Sequence, residues 1–458
     1  MKILICGAGQ VGSSIARQLS REGHEITLID QNAELIQDIN ASLDVKAIVG
    51  HASHPSILEN AGAAESDMLI AVTYSDEVNI VACEIGHALF NVSTRIARIR
   101  NQDYLLPKWK DLMKRDRLPI DVVISPEIEV AETILRRMHV PGALDTLPFA
   151  DGALSVMSIR LEETSSLNNI PFSLAEQITA KKNIALIGVV KQGKFILPTP
   201  GLMLEEHDTL YLVCTVEKTK EVLILFGHHE RQARKMVIIG GGNIGYYLAE
   251  AFEQESHEFR VSVVEADVER AEMIAGTLER TTVIQGSGLD REILMECDID
   301  QAETVIAVTN DDKVNILSAL LAKRLGCKSA VILVNNYSYM SMLGNLGIDV
   351  IVNPRETTVS SILQHVRRGN IRDVQAIEDG TAEIIEAEAV ETSAFTGKPI
   401  GQVKLPRGVV LGAIWRKGQM LLPDANLVIQ PKDRVIILAL AESVKKVEQM
   451  FSVSLEYF

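Results

Sequence analysis

Three things are scarce in this 458-residue chain, and each scarcity narrows what it can be. Long apolar runs are missing: the longest, such as Val435–Ala441, have strand length, far short of the ~18 residues a spanning helix requires. The opening MKILICGAGQ has the look of a signal peptide's start, but Gln10, Arg17 and Gln18 interrupt it before an adequate hydrophobic region forms. Positive charge is in deficit, with 45 Lys and Arg against 61 Asp and Glu and a formal net charge of -16. A nucleic-acid binder needs cations to displace condensed counterions, and docking on anionic lipid needs a polybasic face, so both are disfavoured. Cysteine numbers only five (Cys6, Cys83, Cys214, Cys297, Cys327) and forms no C-x-x-C pair. That usage reads as a reducing compartment with no disulfide framework. Hydrophobic residues at 47% and charged residues at 23% are ample for folded cores. The expectation is an acidic, soluble, cytosolic protein of several domains, roughly three at ~150 residues each.

A search for internal repeats changes that count. Lys2-Ile-Leu-Ile-Cys-Gly-Ala-Gly-Gln-Val-Gly12 aligns with Lys235-Met-Val-Ile-Ile-Gly-Gly-Gly-Asn-Ile-Gly245 at an offset of 233. Ile70-Ala-Val-Thr-Tyr-Ser-Asp-Glu-Val-Asn-Ile80 aligns with Ile306-Ala-Val-Thr-Asn-Asp-Asp-Lys-Val-Asn-Ile316 at 236, with eight of eleven positions identical. Ile124-Ser-Pro126-Glu aligns with Val352-Asn-Pro354-Arg at 228, so the first copy carries an eight-residue excess, expected in the polar stretch Leu106–Leu118. A second repeated segment, Asn183–Val213 against Gly408–Leu438, has an offset of 225. The order is therefore large, small, large, small, with a polar join at Gly227–Lys235. A period above 200 residues is tandem domain duplication, not a solenoid.

Each large module alternates short β-branched runs with helical stretches, which predicts βαβ crossovers and a parallel sheet. The small modules alternate apolar and polar residues and are turn-rich, so they read as α+β with an antiparallel sheet. The fold class expected is α/β: two Rossmann-like, doubly wound parallel-sheet domains, each followed by a small α+β domain. Their limits are placed at 1–125, 143–228, 232–350 and 369–454.

The loop Gly7-Ala8-Gly9-Gln10-Val11-Gly12 follows a strand and opens a helix that stops at Gly23. Gly7 permits the tight turn, Gly9 lets backbone approach a pyrophosphate, and Gly12 allows close helix–strand packing. The helix start then favours an anionic phosphate. Asp30, 18 residues beyond Gly12, ends the second strand where a carboxylate accepts from a ribose diol and repels a 2′-phosphate, favouring NAD over NADP. The second copy supplies Gly240, Gly241, Gly242, Asn243, Ile244 and Gly245, with Glu265 as its acid. Gly50, His51, Ala52 and Ser53 face an adenine or its ribose in such a fold, and Gly286 and Ser287 are the counterparts. Thr73 and Thr309 either line the same crevice at the strands' carboxyl ends or cap the helices that follow.

Candidates for catalysis are wanting. There is no G-x-S-x-G elbow, Walker A or H-E-x-x-H. A dehydrogenase needs an acid/base near the nicotinamide, but His51 falls on the adenine side and His228-His229 in the polar join. His51 and His54 lack a neighbouring Cys or acidic cluster to complete a metal shell, so no metal site is expected. The helix predicted over Glu127–Met138 carries an apolar stripe of Ile128, Ala131, Ile134, Leu135 and Met138. It packs either on its own sheet or on the neighbouring copy. The reading is a nucleotide that is sensed and not consumed, with no catalytic residue. An NAD-dependent oxidoreductase is the alternative.

GAGQVG with Asp30, Gly50–Cys83 and RIARIRNQDY (Arg95–Tyr104) resemble the RCK, or KTN, domains that regulate potassium channels and transporters. The small modules resemble the RCK-C domain, and the tandem order resembles the NAD-binding peripheral subunits of Trk potassium uptake systems over essentially the whole chain. That resemblance implies a cytoplasmic homo-oligomer, a ring of RCK domains beneath a potassium-translocating membrane subunit of the TrkH/TrkG type on the inner membrane. It implies binding of NAD(H), with ATP or ADP as further candidates, to gate transport; a regulator of another cation channel or exchanger is its variant. By position, Thr73 and Asp76 border the nucleotide crevice, and Arg98 and Arg100 meet phosphate or the neighbouring module. The second copy departs there, with Val334 and Asn336 aligned to the two arginines. Gln10 and Asn243 stand where some ATP-binding RCK domains carry Arg, which leans both sites towards NAD(H).

Overall fold

Short runs of β-branched residues, buried on both faces, build the first large module, as parallel strands covered by crossover helices must be. Its strands are β1 (Lys2–Cys6), β2 (Glu25–Asp30), β3 (Lys46–Val49), β4 (Met68–Ala71), β5 (Thr94–Arg98) and β6 (Val122–Ile124). They lie in the order β3-β2-β1-β4-β5-β6, with parallel pairings. Residues 1–451 are described in this computed structural model, apart from 110, 113–116, 141, 229–232, 257, 337, 340–342, 344–345, 367–370, 379 and 394. His229, residues 230–232 of the polar join and part of the Leu106–Leu118 stretch therefore lie outside the described residues.

The first small module contributes β7 (Ala143–Phe149), β8 (Leu154–Arg160), β9 (Ala185–Lys191), β10 (Lys194–Ile196) and β11 (Thr209–Thr215). The second large module repeats the six-strand sheet with β12 (Lys235–Ile239), β13 (Arg260–Glu265), β14 (Thr282–Gln285), β15 (Thr304–Ala307), β16 (Ser329–Leu333) and β17 (Val350–Val352). Its order, β14-β13-β12-β15-β16-β17, is that of the first. The second small module adds β18 (Ile371–Ile377), β19 (Ala382–Glu388), β20 (Val409–Arg416), β21 (Gln419–Leu421) and β22 (Arg434–Leu440). Both small sheets are antiparallel and share one topology, β10-β9-β11-β8-β7 matching β21-β20-β22-β19-β18. The expected α/β and α+β classes hold. The eight-residue excess divides: β5 and β16 align at an offset of 235, so one residue precedes β5 and seven separate β5 from β6.

Contacts divide the chain into two units: Met1–Ser14, Ile26–His139 and Arg231–Val359, which hold the large modules apart from Ile15–Glu25, and Ile15–Glu25, Val140–Glu230 and Ser360–Phe458, which hold the small ones. Within the first unit, the helix Pro126–His139 resolves the choice its stripe left open. It leaves its own sheet and packs on the second large module, burying Val130, Ala131, Ile134 and Met138 against Met236, Ile238, Leu248, Ala249 and Phe252. Arg137 Nη1 donates to Ile351 O at 3.1 Å, and His139 lies 3.4 Å from Glu255.

Within the second unit, the small sheets share a core of Leu147, Phe149, Ile187 and Tyr211 with Ile384, Ala413, Ile436 and Leu438. Polar groups pin this joint. Ala150 N donates to Glu386 Oε2 at 2.8 Å, Arg434 pairs with both Glu386 and Asp151, and the Tyr211 hydroxyl donates to Glu378 at 2.7 Å. Beside them, burial, with Glu386 adding its negative charge, pushes the Asp373 carboxyl up to about 6.

The unfolded chain releases that proton near pH 4. Between about pH 4 and 6 the folded protein therefore holds more protons than the unfolded one, and stability falls as pH rises. Asp373→Asn is expected to remove this slope, gaining about 3 kcal/mol at pH 7 and nothing near pH 4 in urea unfolding. Equal stability of variant and wild type at both pH values would contradict the assignment.

Candidate functional site

At the carboxyl ends of β1 and β4 the chain turns to opposite sides of the sheet, which opens a crevice at the switch point. The glycine loop occupies it. Gly7 has φ of 112°, and a Cβ there would lie 3.0 Å from Thr73 N, so only glycine fits. A Cβ on Gly12 would come within 1.9 Å of Gly7 O, which is the close packing the spacing anticipates. Gly9 is exposed, with nothing within 4 Å of where its Cβ would stand. The three glycines thus divide into two that build the turn and one that leaves room above it.

Asp30 closes the loop from the side. Its Oδ2 accepts from Ala8 N at 2.6 Å and its Oδ1 from Asn32 N at 2.8 Å. Glu265 repeats the arrangement, accepting from Gly241 N at 2.6 Å and Asp267 N at 2.9 Å. The longer Glu side chain reaches the same loop amide, so the two acids are equivalent.

Both crevices open into one cavity of about 1200 Å³ inside the unit that holds both large modules. Gly7, Gly9, Gln10, Val11, Asp30, Gly50, His51 and Ala52 line it from the first module, with Thr73 and Arg98. Gly240, Gly242, Asn243, Ile244, Glu265, Gly286, Ser287 and Thr309 line it from the second. The remaining predicted residues sit behind this wall. Ala8 and Gly241 are buried amide donors, and Gly12 and Gly245 are packing contacts. Ser53 Oγ lies 2.8 Å from His51 Nδ1. Asp76 accepts from Arg100 N and Asn101 N at 3.0 and 2.7 Å, fixing the backbone beyond β5. His51 and His54 stack at 4.9 Å, and among the described residues no group of three metal-ligating side chains converges.

Thr73 lines the cavity but does not cap the next helix; Ser75 does, accepting from Val78 N at 3.3 Å. The Thr73 amide and hydroxyl both donate to Asn79 Oδ1, at 2.8 and 2.7 Å. Asn79, fully buried, passes its own amide to Arg98 O at 2.8 Å and so ties β4 to β5 at the crevice floor. Asn315 does the same for Thr309 and Leu333, at 2.8 and 3.0 Å. These asparagines stand in the strongest repeat match, V-N-I, yet their role needs the fold to be seen.

The same bonds correct the alignment of the two arginines. Asn79 meets Arg98 O where Asn315 meets Leu333 O, and Asp76 holds Arg100 N where Asp312 holds Asn335 N at 2.9 Å. The counterparts are Leu333 and Asn335, not Val334 and Asn336, because the loop before β16 is one residue shorter. The second crevice still lacks both cations. It has Arg270 instead, whose Nε donates to Gly241 O at 2.7 Å and whose guanidinium lies 5.7 Å from the Tyr246 ring centre.

In the first crevice, Arg98 donates from Nη2 to Thr73 O at 2.8 Å, while its buried Nε has no partner. Burial, with Arg100 nearby, pushes this guanidinium below the ordinary arginine value. Arg100 Nε lies 3.0 Å from Glu127. Both guanidinium groups line the cavity.

Paired six-stranded sheets with facing glycine loops, each followed by a small antiparallel sheet, define a tandem nucleotide-crevice protein of the TrkA-N class. The TrkA-N domain family model matches residues 3–126 and 236–354, and the TrkA-C domain model matches 384–452. The chain is 45% identical over its whole length to the Trk system potassium uptake protein TrkA of Azorhizobium caulinodans, covering 100% of both chains. It is 36% identical to that of Halomonas elongata, again covering 100% of both. It belongs to the family of Trk system potassium uptake proteins TrkA. Its fold is similar to that of the GsuK channel bound to NAD, with a TM-score of 0.59 and 19% identity over 98% of this chain and 78% of that one.

The glycines divide into those that close the turn and one that does not. Gly12→Ala is expected to destabilise by about 1–3 kcal/mol in urea unfolding, because backbone must move to admit the methyl. Gly9→Ala, with open space around it, is expected to stay within about 0.5 kcal/mol of wild type. Equal losses at both positions would show that the two glycines do not have these separate roles.

Proposed function

We propose that this chain is the nucleotide-sensing regulatory subunit of a Trk-type potassium uptake system and not an enzyme. It binds NAD(H), with ATP or ADP as a second class, on the two glycine loops. Asp30 and Glu265 receive the adenosine ribose, and Gly50–Ser53 and Gly286-Ser287 flank the adenine. The chains assemble into a ring on the cytoplasmic face of the inner membrane, against a TrkH/TrkG-type potassium-translocating subunit. Among the described residues no helix is long and apolar enough to cross a membrane, so the pore belongs to that partner. The domains keep the limits 1–125, 143–228, 232–350 and 369–454 in this reading.

The observation that carries the proposal is the shared cavity: both glycine loops and both acids face one space between two modules locked by an exchanged helix. A ligand there touches the joint between modules, and it moves a conformational equilibrium by its differential affinity for two arrangements. A ring of such joints sums small biases into the opening or closing of a pore. The full-length relatives named as potassium uptake proteins support the role, and a channel of the same fold bound to NAD supports the ligand.

The test is the ligand-induced shift in melting temperature of the full chain with NADH, NAD, ADP and ATP. NADH at a hundredfold excess over its Kd is expected to stabilise wild type by about 2.7 kcal/mol. Asp30→Ala and Glu265→Ala are each expected to lose part of that response. Absence of any nucleotide-dependent shift in wild type would refute the sensing role.

A further inference from the structure

The first glycine loop receives a cation that its own module does not encode. Arg355, second residue of the helix Pro354–Val366, comes from the second large module. Its Nε donates to Ser14 Oγ at 2.8 Å, and its Nη2 meets the same hydroxyl. Ser14 lies two residues past Gly12 in the helix Gln10–Arg21, so the guanidinium rests on the first turns of the glycine-loop helix. Arg355 lines the shared cavity together with Arg98 and Arg100.

The matching position in the first module is Glu127, second residue of the helix Pro126–His139. That helix and Asn243–Glu255 end together at the His139–Glu255 contact of 3.4 Å. Glu127 accepts from Arg100 Nε of its own module at 3.0 Å. Glu127 is 9% exposed and lines the same cavity. The first glycine loop is thus met by the second residue of the other module's crossover helix, an arginine, while the matching residue of the first module is a glutamate that stays with Arg100.

Resting on the nucleotide reading above, we propose that Arg355 determines the specificity of the first site. Its guanidinium takes the terminal phosphates of a nucleoside polyphosphate seated on Gly7–Gly12, so the ligand is held by both modules at once. A guanidinium matches phosphate oxygens in a fork, and such charge-assisted bonds are the strong ones. With Arg98 opposite, and Arg100 held beside it by Glu127 at 3.0 Å, affinity at this site rises with the number of phosphates. At the second site Leu333 and Asn335 stand in place of the arginines, so an added phosphate brings no such gain.

The test is calorimetric titration of the full chain with AMP, ADP and ATP, comparing wild type with Arg355→Ala and Ser14→Ala. Wild type is expected to bind ATP more tightly than ADP, and ADP more tightly than AMP. Arg355→Ala should weaken ATP about tenfold or more while AMP stays within about twofold, showing an intact nucleoside pocket. Ser14→Ala removes the hydroxyl partner but keeps the cation, and it should retain ATP affinity within about threefold. An unchanged ATP-to-AMP preference in Arg355→Ala overturns the proposal, as does a Ser14→Ala loss equal to that of Arg355→Ala. Failure of every nucleotide to bind wild type would instead bring down the reading on which it rests.

Discussion

The unit that holds the two large modules depends on one exchange, the helix Pro126–His139 burying its apolar stripe in the neighbouring module. Val130, Ala131 and Ile134 are fully removed from water there. At roughly 1.5–3 kcal/mol for each large apolar side chain fully buried, Ile134 and Met138 alone outweigh any polar contact between the modules. Because the helix begins beside one crevice and lies along the glycine-loop helix of the other, the same packing turns the two crevices towards each other. A shared cavity is then a geometric consequence and not a separate design.

Beneath that cavity the two copies keep one polar framework. Asn79 and Asn315, both wholly buried, bond the ends of neighbouring strands in the same pattern to within a few tenths of an ångström. Buried amides with every bond satisfied cost little to keep and much to disturb. Asp30 and Glu265 likewise hold their loops by the same amide, although one side chain is longer. Divergence falls on groups that face the cavity: Arg98 against Leu333 and Arg100 against Asn335. The floor is conserved between copies while the walls are rewritten, as expected if folding constrains the first and ligand choice the second.

Much of this was legible in the chain before any coordinates. Strands, crossovers, glycine roles and duplication follow from local spacing, and these carry the fold class. What needed the structure was tertiary. The stripe on Glu127–Met138 is apolar whichever sheet it meets, so periodicity could not choose its partner. The arginine alignment slipped by one residue because a shorter loop before β16 leaves no trace in a motif match. Asn79 lay inside the best repeat match yet carried no meaning until its carboxamide was seen to join two strands. The Pro126-Glu and Pro354-Arg match was visible as a repeat, but its change of sign matters only once Arg355 is seen on Ser14 of the other module and Glu127 on Arg100 of its own.

That change of sign bears on why the modules are fused. Two separate copies of one module, paired about a twofold axis, would present the same residue to both loops, since a symmetric interface is self-complementary. Two arginines would leave excess positive charge in an empty cavity, and two glutamates would repel phosphate from both sides. A tandem chain escapes the constraint: residue 127 and residue 355 mutate independently, so one crossover helix carries an acid where the other carries a cation. Fusion also fixes the local concentration of the facing module, so the shared cavity forms without a second chain. The duplication thus supplies what a homodimer cannot, two unlike crevices built on one backbone and joined by one exchanged helix.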